Sequence, residues 1–150
     1  MVQDLFDLAE SLGVRIEYAD LSHLDRDGDC NIDERVIRLQ EGMLERLERS
    51  VLCHELAHFI RGDRRTMFGV YDERDERRAD EWAAHYLIAM IDFEHAELKF
   101  GNNVEAIAQE LNVMDYIVEA YMRTLDRLGD YLYAFARMGD GQWAKKVAVA

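Results

Sequence analysis

The spacing of apolar residues divides the first part of the chain into a helix and short strands. Apolar residues at three- and four-residue steps predict a helix over residues 2–12, which ends at Gly13, a residue that tolerates left-handed φ. Alternating apolar and polar residues predict a strand over 14–19. The turn-rich acidic stretch 21–40 predicts two short strands in a hairpin.

The rest of the chain has a helical period. A helix begins near residue 43, and its predicted core-facing stripe carries Leu44, Leu47, Val51, His54 and His58. A second long helix is predicted over 73–90, and two further helices over 104–111 and 116–128. One more short helix is predicted over 130–138. Strands followed by helices predict an α+β fold, with a small antiparallel or mixed sheet packed on a helical bundle.

Length and composition favour one globular domain. The chain has 150 residues, of which 49% are hydrophobic and 33% charged, with no proline, so disordered and low-complexity classes are excluded. A chain of this length builds one core rather than two. We therefore expect a single domain over residues 1–150, with its core at about 1–95 and a C-terminal helical part at about 102–140.

Charge and cysteine content restrict the partners and the compartment. The formal net charge of −13 repels nucleic-acid backbones and anionic membrane surfaces, so direct nucleic-acid binding and membrane association are not expected. Cys30 and Cys53 have neither the spacing of a zinc finger nor that of a disulfide framework. The acidic N-terminus and the lack of a long apolar run argue against export. A reducing cytoplasm is the predicted location.

The sequence His-Glu-Leu-Ala-His at residues 54–58 matches the H-E-x-x-H pattern within a predicted helix. Residues four apart are separated by only about 40° around a helix, so His54 and His58 can reach one metal ion. Glu55 then lies beside the ion, where it can act as the general base on water. Two ordinary core histidines are the alternative, but buried imidazoles and a buried carboxylate would all need hydrogen-bond partners. The motif therefore predicts a catalytic Zn²⁺ site.

A catalytic zinc usually has three protein ligands and a water, so a third ligand is expected downstream. The best candidate is Glu76, which begins an E-x-x-A-D pattern on the predicted buried face of the second helix; a surface glutamate paired with a neighbouring arginine is the alternative. Asp80, one turn later, is predicted to accept a hydrogen bond from the far nitrogen of a zinc histidine. His85 is a rival ligand, but nine residues from Glu76 place it about 180° around the helix. We expect a Glu76 oxygen within about 5 Å of a histidine nitrogen.

Two segments together resemble the ImmA/IrrE metallopeptidases of phages, integrative elements and bacteria. These are the zinc motif followed by Gly-Asp at 62–63, and Glu-Arg-Arg-Ala-Asp-Glu-Trp-Ala-Ala at 76–84. The resemblance covers about residues 10–90 and implies a zincin-like core in which His54, His58 and Glu76 hold zinc and Glu55 is the base. That family usually continues its second helix into Leu-Leu-Met-Pro, whereas this chain has no proline there. Members of the family cleave a helix-turn-helix repressor.

The predicted function is therefore a zinc-dependent endopeptidase that cleaves a repressor protein and so switches gene expression of a phage or mobile element. The alternative is a non-proteolytic metal-binding regulator that binds a repressor or DNA through its C-terminal helices. Residues 104–128 resemble the first half of a helix-turn-helix, but acidic residues on the second helix disfavour phosphate contacts. Asp63 and Tyr71, in the loop between the zinc helices, are further candidates to face the cleft.

Overall fold

A computed structural model describes residues 2–127, 131–133 and 146–148, and the side chains of residues 2–127. The described residues form six α-helices, a three-stranded mixed sheet and a two-stranded ribbon, which confirms the α+β class. The chain divides into two compact units, Met1–Ala83 and Ala84–Ala150. No helix among the described residues is both long and apolar enough to span a membrane.

The first unit contains the three-stranded sheet and the helices that carry the predicted metal motifs. Its elements are α1 (Val2–Ser11), β1 (Arg15–Ala19), β2 (Gly28–Asn31), β3 (Val36–Gln40), α2 (Glu45–Arg61) and most of α3 (Glu73–Leu87). Strand β3 lies in the middle of the sheet, parallel to β1 and antiparallel to β2. The predicted strand over 14–19 and the predicted hairpin are thus confirmed, and β2 forms one edge of the sheet.

Helix α2 packs on β2 and β3 through fully buried side chains. Leu52 and Leu56 on the helix and Ile37 and Leu39 on β3 have no exposed surface. Gly28 permits an unusually close approach of β2, because a Cβ atom there would lie 2.6 Å from Val51 Cγ1 and 3.2 Å from Glu55 Cγ. The close contact fixes the turn of α2 that carries Glu55.

The two ends of α2 differ in how closely they follow the predicted pattern. Leu44, predicted on the buried stripe, precedes the first turn and is 76% exposed, since the helix begins only at Glu45. At the other end Gly62 adopts a left-handed φ of 71°, and its N–H group and that of Asp63 bond to carbonyls of the last turn. This C-cap turns the chain back and places Asp63 beside the end of the helix.

The second unit contains three further helices. They are α4 (Met90–Phe100), α5 (Val104–Glu110) and α6 (Asp115–Arg127), followed by β4 (Tyr131–Tyr133) and β5 (Lys146–Ala148). Helices α5 and α6 confirm the two helices predicted over 104–111 and 116–128, with a short turn between them. Helix α4 was not predicted. The prediction that α3 extends to residue 90 is wrong. The chain leaves the helix after Leu87 without a proline, because Ala89 is extended and caps α4.

The predicted helix over 130–138 falls mostly outside the described residues. Its three described residues, 131–133, form β4, which pairs antiparallel with β5. These residues pair with a segment about fifteen residues further along the chain. Pairing between strands has therefore overridden the helical preference of the local sequence.

Candidate metal centre

Helix α2 brings two histidine side chains to one point. His54 and His58 lie one turn apart, with their Nε2 atoms 3.0 Å apart and their rings edge to face. The His58 side chain is completely buried, and that of His54 is 14% exposed. The motif spacing thus places both ring nitrogens on the same side of the helix, with only His54 open to solvent.

Glu76, in the first turn of α3, completes the cluster. Its carboxylate oxygens lie 3.3 Å from His54 Nε2 and 3.7 Å from His58 Nε2. One ligand atom from each of the three residues can be chosen so that all lie within 4.8 Å of one another. Tetrahedral zinc with bonds of about 2.0–2.1 Å separates its ligand atoms by about 3.3 Å. The donor set and its spacing therefore fit a zinc ion with only a small adjustment of Glu76.

Each histidine is oriented by a carboxylate on its other ring nitrogen. His54 Nδ1 lies 2.8 Å from Asp80 Oδ1, and His58 Nδ1 lies 2.9 Å from Asp63 Oδ2. Ionised carboxylates only accept hydrogen bonds, so both Nδ1–H groups donate, and Nε2 is the atom of each ring that faces the cluster. Asp80 has the contact that the sequence predicts, while Asp63 makes the equivalent contact to the second histidine.

Asp63 is itself held in place by charged neighbours. It is 8% exposed, and its Oδ2 accepts a hydrogen bond of 3.0 Å from Arg61 Nε. Burial opposes ionisation, but the hydrogen bonds from Arg61 and His58 lower the pKa of Asp63 below its usual value. The sequence left this residue open, yet its position directly after the C-cap glycine was a signal, since that turn returns the chain towards the last helical residues.

Tyr71 covers the open face of His58. The two rings are stacked 3.6 Å apart at an angle of 8°. Arg65 lies over the Tyr71 ring, with its guanidinium carbon 4.4 Å from the ring centre. Tyr71 is thus a wall of the metal centre, and no spacing rule along the sequence could identify it.

The carboxylates of the cluster favour a positive charge on His54. Burial lowers the pKa of His54, but hydrogen bonds to Asp80 and Glu76 outweigh it and raise that pKa to about 10. Burial also opposes the charge on Glu76, whereas His54 and His58 lower its pKa. The pKa of His58 is lowered by burial and by the charge of His54. His58 is therefore a neutral imidazole, the form that binds metals.

Glu55 lies next to the cluster and outside it. It is 5% exposed, and its Oε2 atom is buried with no hydrogen-bond partner among the described residues. Burial raises the pKa of Glu55 to about 7, although the charges of His54 and Arg65 oppose the rise. A buried, unpartnered carboxylate with a pKa near neutrality can both accept and return a proton.

The rival ligand His85 is held elsewhere. Its Nε2 lies 2.8 Å from Thr124 Oγ1, and its ring lies against Tyr121 in the second unit. Within residues 2–127, the cluster that could hold a metal consists of His54, His58 and Glu76, and it does not include His85.

Comparison with known proteins agrees with this geometry. The chain matches the family model of the IrrE N-terminal-like domain, peptidase family M78, over residues 9–119. No curated protein and no solved structure matches it. The matched segment contains all of α2, the loop after it and α3, and it covers most of the chain. The protein therefore belongs to the IrrE N-terminal-like family of metallopeptidases.

Proposed function

We propose that this protein is a zinc-dependent endopeptidase that cleaves a helix-turn-helix repressor in the cytoplasm. The observation that carries the proposal is the cluster of His54, His58 and Glu76 with the unpartnered carboxylate of Glu55 beside it. Membership of a metallopeptidase family supports peptide hydrolysis and a protein substrate. The choice of a repressor, and of a phage or mobile element as its source, rests on the resemblance to ImmA/IrrE proteins.

The residues present fit zinc better than a harder cation. Two imidazoles and one carboxylate are a common zinc donor set, whereas calcium and magnesium prefer oxygen ligands alone. His54 Nε2, His58 Nε2 and a Glu76 oxygen would hold the ion. When bound, zinc supplies Lewis-acid polarisation of the scissile carbonyl and of a water molecule.

In the proposed reaction, Glu55 moves the protons. Its carboxylate accepts a proton from the attacking water as the water oxygen bonds to the peptide carbon. The same proton then passes to the leaving amine as the carbon–nitrogen bond breaks. The near-neutral pKa that burial gives Glu55 suits both transfers, because neither protonation state is strongly favoured.

Asp63 and Asp80 keep the two imidazoles in the tautomer that this arrangement needs. The fixed rings leave Glu55 as the group free to exchange protons with a substrate. Two free buried thiols, Cys30 and Cys53, agree with the proposed cytoplasmic location.

The test uses the repressor encoded beside this gene, incubated with the zinc-loaded protein and analysed by mass spectrometry. We expect a single cleavage, and we expect Glu55→Gln to lower kcat by about 10²–10⁴-fold with the zinc content unchanged, because the amide cannot accept a proton. A Glu55→Gln protein that cleaves at the wild-type rate would exclude Glu55 as the base. If instead the repressor binds intact and Glu55→Gln still relieves repression, the protein is the non-proteolytic regulator.

A further inference from the structure

A cavity of about 530 Å³ adjoins the metal centre within the first unit. Strand β2, the turn before it and the loop between α2 and α3 form its walls. Asp63 and Tyr71 line it, and both of these residues contact His58. A peptide bound at the metal centre can therefore place a neighbouring side chain in this cavity.

Every carboxylate in the cavity wall already has a cationic partner. Arg38 forms a two-pronged ion pair with Asp29, and Asp63 is bonded to Arg61. Arg64 forms a second two-pronged pair with Asp33, with nitrogen–oxygen distances of 2.9 and 3.1 Å. Both oxygens of Asp29 and of Asp33 are thus occupied, and Oδ2 of Asp63 accepts hydrogen bonds from Arg61 and His58. These acids consequently offer little negative charge to a ligand.

Two arginines in the same wall have no such carboxylate partner. Arg26 is half-buried, and it has no hydrogen bond or ion pair to any residue that the structure describes. Arg65 lies on the Tyr71 ring and donates a hydrogen bond to the carbonyl of Gly69. Its charge also helps to lower the pKa of Glu76 and opposes the rise that burial causes in the pKa of Glu55. The cavity thus carries excess positive charge in a chain whose formal net charge is −13.

We propose that this cavity is a specificity subsite for an acidic side chain, glutamate or aspartate, of the peptide substrate. Arg26 is the specificity-determining residue, because its guanidinium is the one in the wall that is not already engaged by a described group. A glutamine side chain of the same size would gain only neutral hydrogen bonds, which are weaker than those to a carboxylate. The proposal rests on the proposed peptidase function and adds a substrate class to it.

A binding experiment tests the subsite without requiring catalysis. The probes are N-acetylglutamate N-methylamide and its glutamine counterpart, titrated into the isotope-labelled, zinc-loaded protein and followed by NMR shifts of backbone amides. We expect the glutamate probe to shift the amides of Arg26, Cys30 and Asn31 and to bind about 10-fold more tightly than the glutamine probe. Equal binding of the two probes, no binding, or shifts confined to the metal ligands would overturn the proposal.

Variants separate the role of Arg26 from a general effect of charge. Arg26→Ala is expected to weaken glutamate binding about 10-fold, while Arg26→Lys retains part of the preference because it keeps the charge. The matched control is Arg15→Ala, on β1 at the opposite edge of the sheet, which removes the same charge and should change nothing. An equal loss in Arg15→Ala would show that only net charge matters and would refute the assignment.

Cleavage of a peptide library distinguishes failure of the subsite from failure of the proposed function. We expect the wild type to favour substrates with Glu or Asp next to the scissile bond and Arg26→Ala to lose that preference. Cleavage without an acidic preference would refute the subsite and leave the peptidase intact. Binding of the glutamate probe through Arg26, with no cleavage of either the library or the repressor, would refute the peptidase and retain the anion site.

Discussion

The two sides of the metal centre are built differently. On the loop side, Asp63 and Tyr71 hold His58, whose side chain has no exposed surface. On the helix side, α3 supplies Glu76 and Asp80 to His54, and the Glu76 side chain is 44% exposed. On the loop side the histidine is therefore fully enclosed, whereas on the helix side the carboxylate ligand candidate is open to solvent.

We therefore expect the two sides to have different roles in metal binding. The His58 imidazole is buried, stacked and hydrogen-bonded, so we expect the loop side to set where a bound ion would lie. The more exposed Glu76 can adjust its position as ligands come and go. If the two sides contribute unequally, changes to Glu76, to the supporting aspartates and to Tyr71 should affect zinc binding to different degrees.

Loss of Glu76 should have the largest effect on metal binding. Glu76→Ala removes an anionic donor and leaves two histidines, so we expect zinc affinity to fall by more than about 100-fold, beyond the range for groups that only support a ligand. A competitive titration with a fluorescent chelator measures this change. Glu73→Gln, in the same first turn of α3, is the control and should leave the affinity unchanged. Affinity within a fewfold of wild type in Glu76→Ala would exclude Glu76 as a ligand.

Removal of the supporting carboxylates should show whether the loop side and the helix side contribute unequally to zinc affinity. Asp63→Ala and Asp80→Ala are each expected to weaken zinc binding by about 10- to 100-fold, because an unsupported imidazole loses its orientation. We expect Asp63→Ala to have the larger effect, since His58 is fully buried and water cannot replace the lost carboxylate. The same chelator titration ranks the two variants. An unchanged affinity in Asp80→Ala would make Asp80 an ordinary surface acid, and the reverse ranking would contradict the comparison.

Changes to Tyr71 should have the smallest effect when the ring is kept. Tyr71→Phe preserves the stacking on His58, so zinc affinity is expected to stay within about threefold of wild type. Tyr71→Ala should instead lower the free energy of unfolding by about 3–5 kcal/mol, as loss of a buried aromatic side chain usually does. Urea denaturation of the two variants measures the difference. A large loss of affinity in Tyr71→Phe would assign a role to the hydroxyl group instead of the ring.

Local sequence patterns predicted most of the elements that carry the site. Helix α2, the strand β1 and the hairpin of β2 and β3 were predicted because their apolar spacing and the turn-forming acidic stretch both operate within a few residues. Apolar spacing gave the wrong end for α3, which was predicted to extend to residue 90, and it did not predict α4. Tyr86 and Met90, which continue the apolar period of α3, are instead 44% and 58% exposed. A period of apolar residues shows that a helix is possible, but it does not show where the chain turns away.

The chemistry proposed for the centre follows from residue types and spacing that the sequence alone shows. A helical His-Glu-x-x-His segment fixes two imidazoles on one side of a helix and a carboxylate beside them, because the helix repeat alone sets those angles. The sequence also singled out Glu76 and Asp80 on a second helix, and their roles as ligand and support stay predictions.

Packing between elements fixes which groups surround the histidines. Asp63 lies beside His58 because the C-cap at Gly62 reverses the chain, and Tyr71 and Arg26 line one cavity although they are distant in the sequence. These contacts join residues from separate elements, and such distances depend on packing, which no periodicity within one segment encodes.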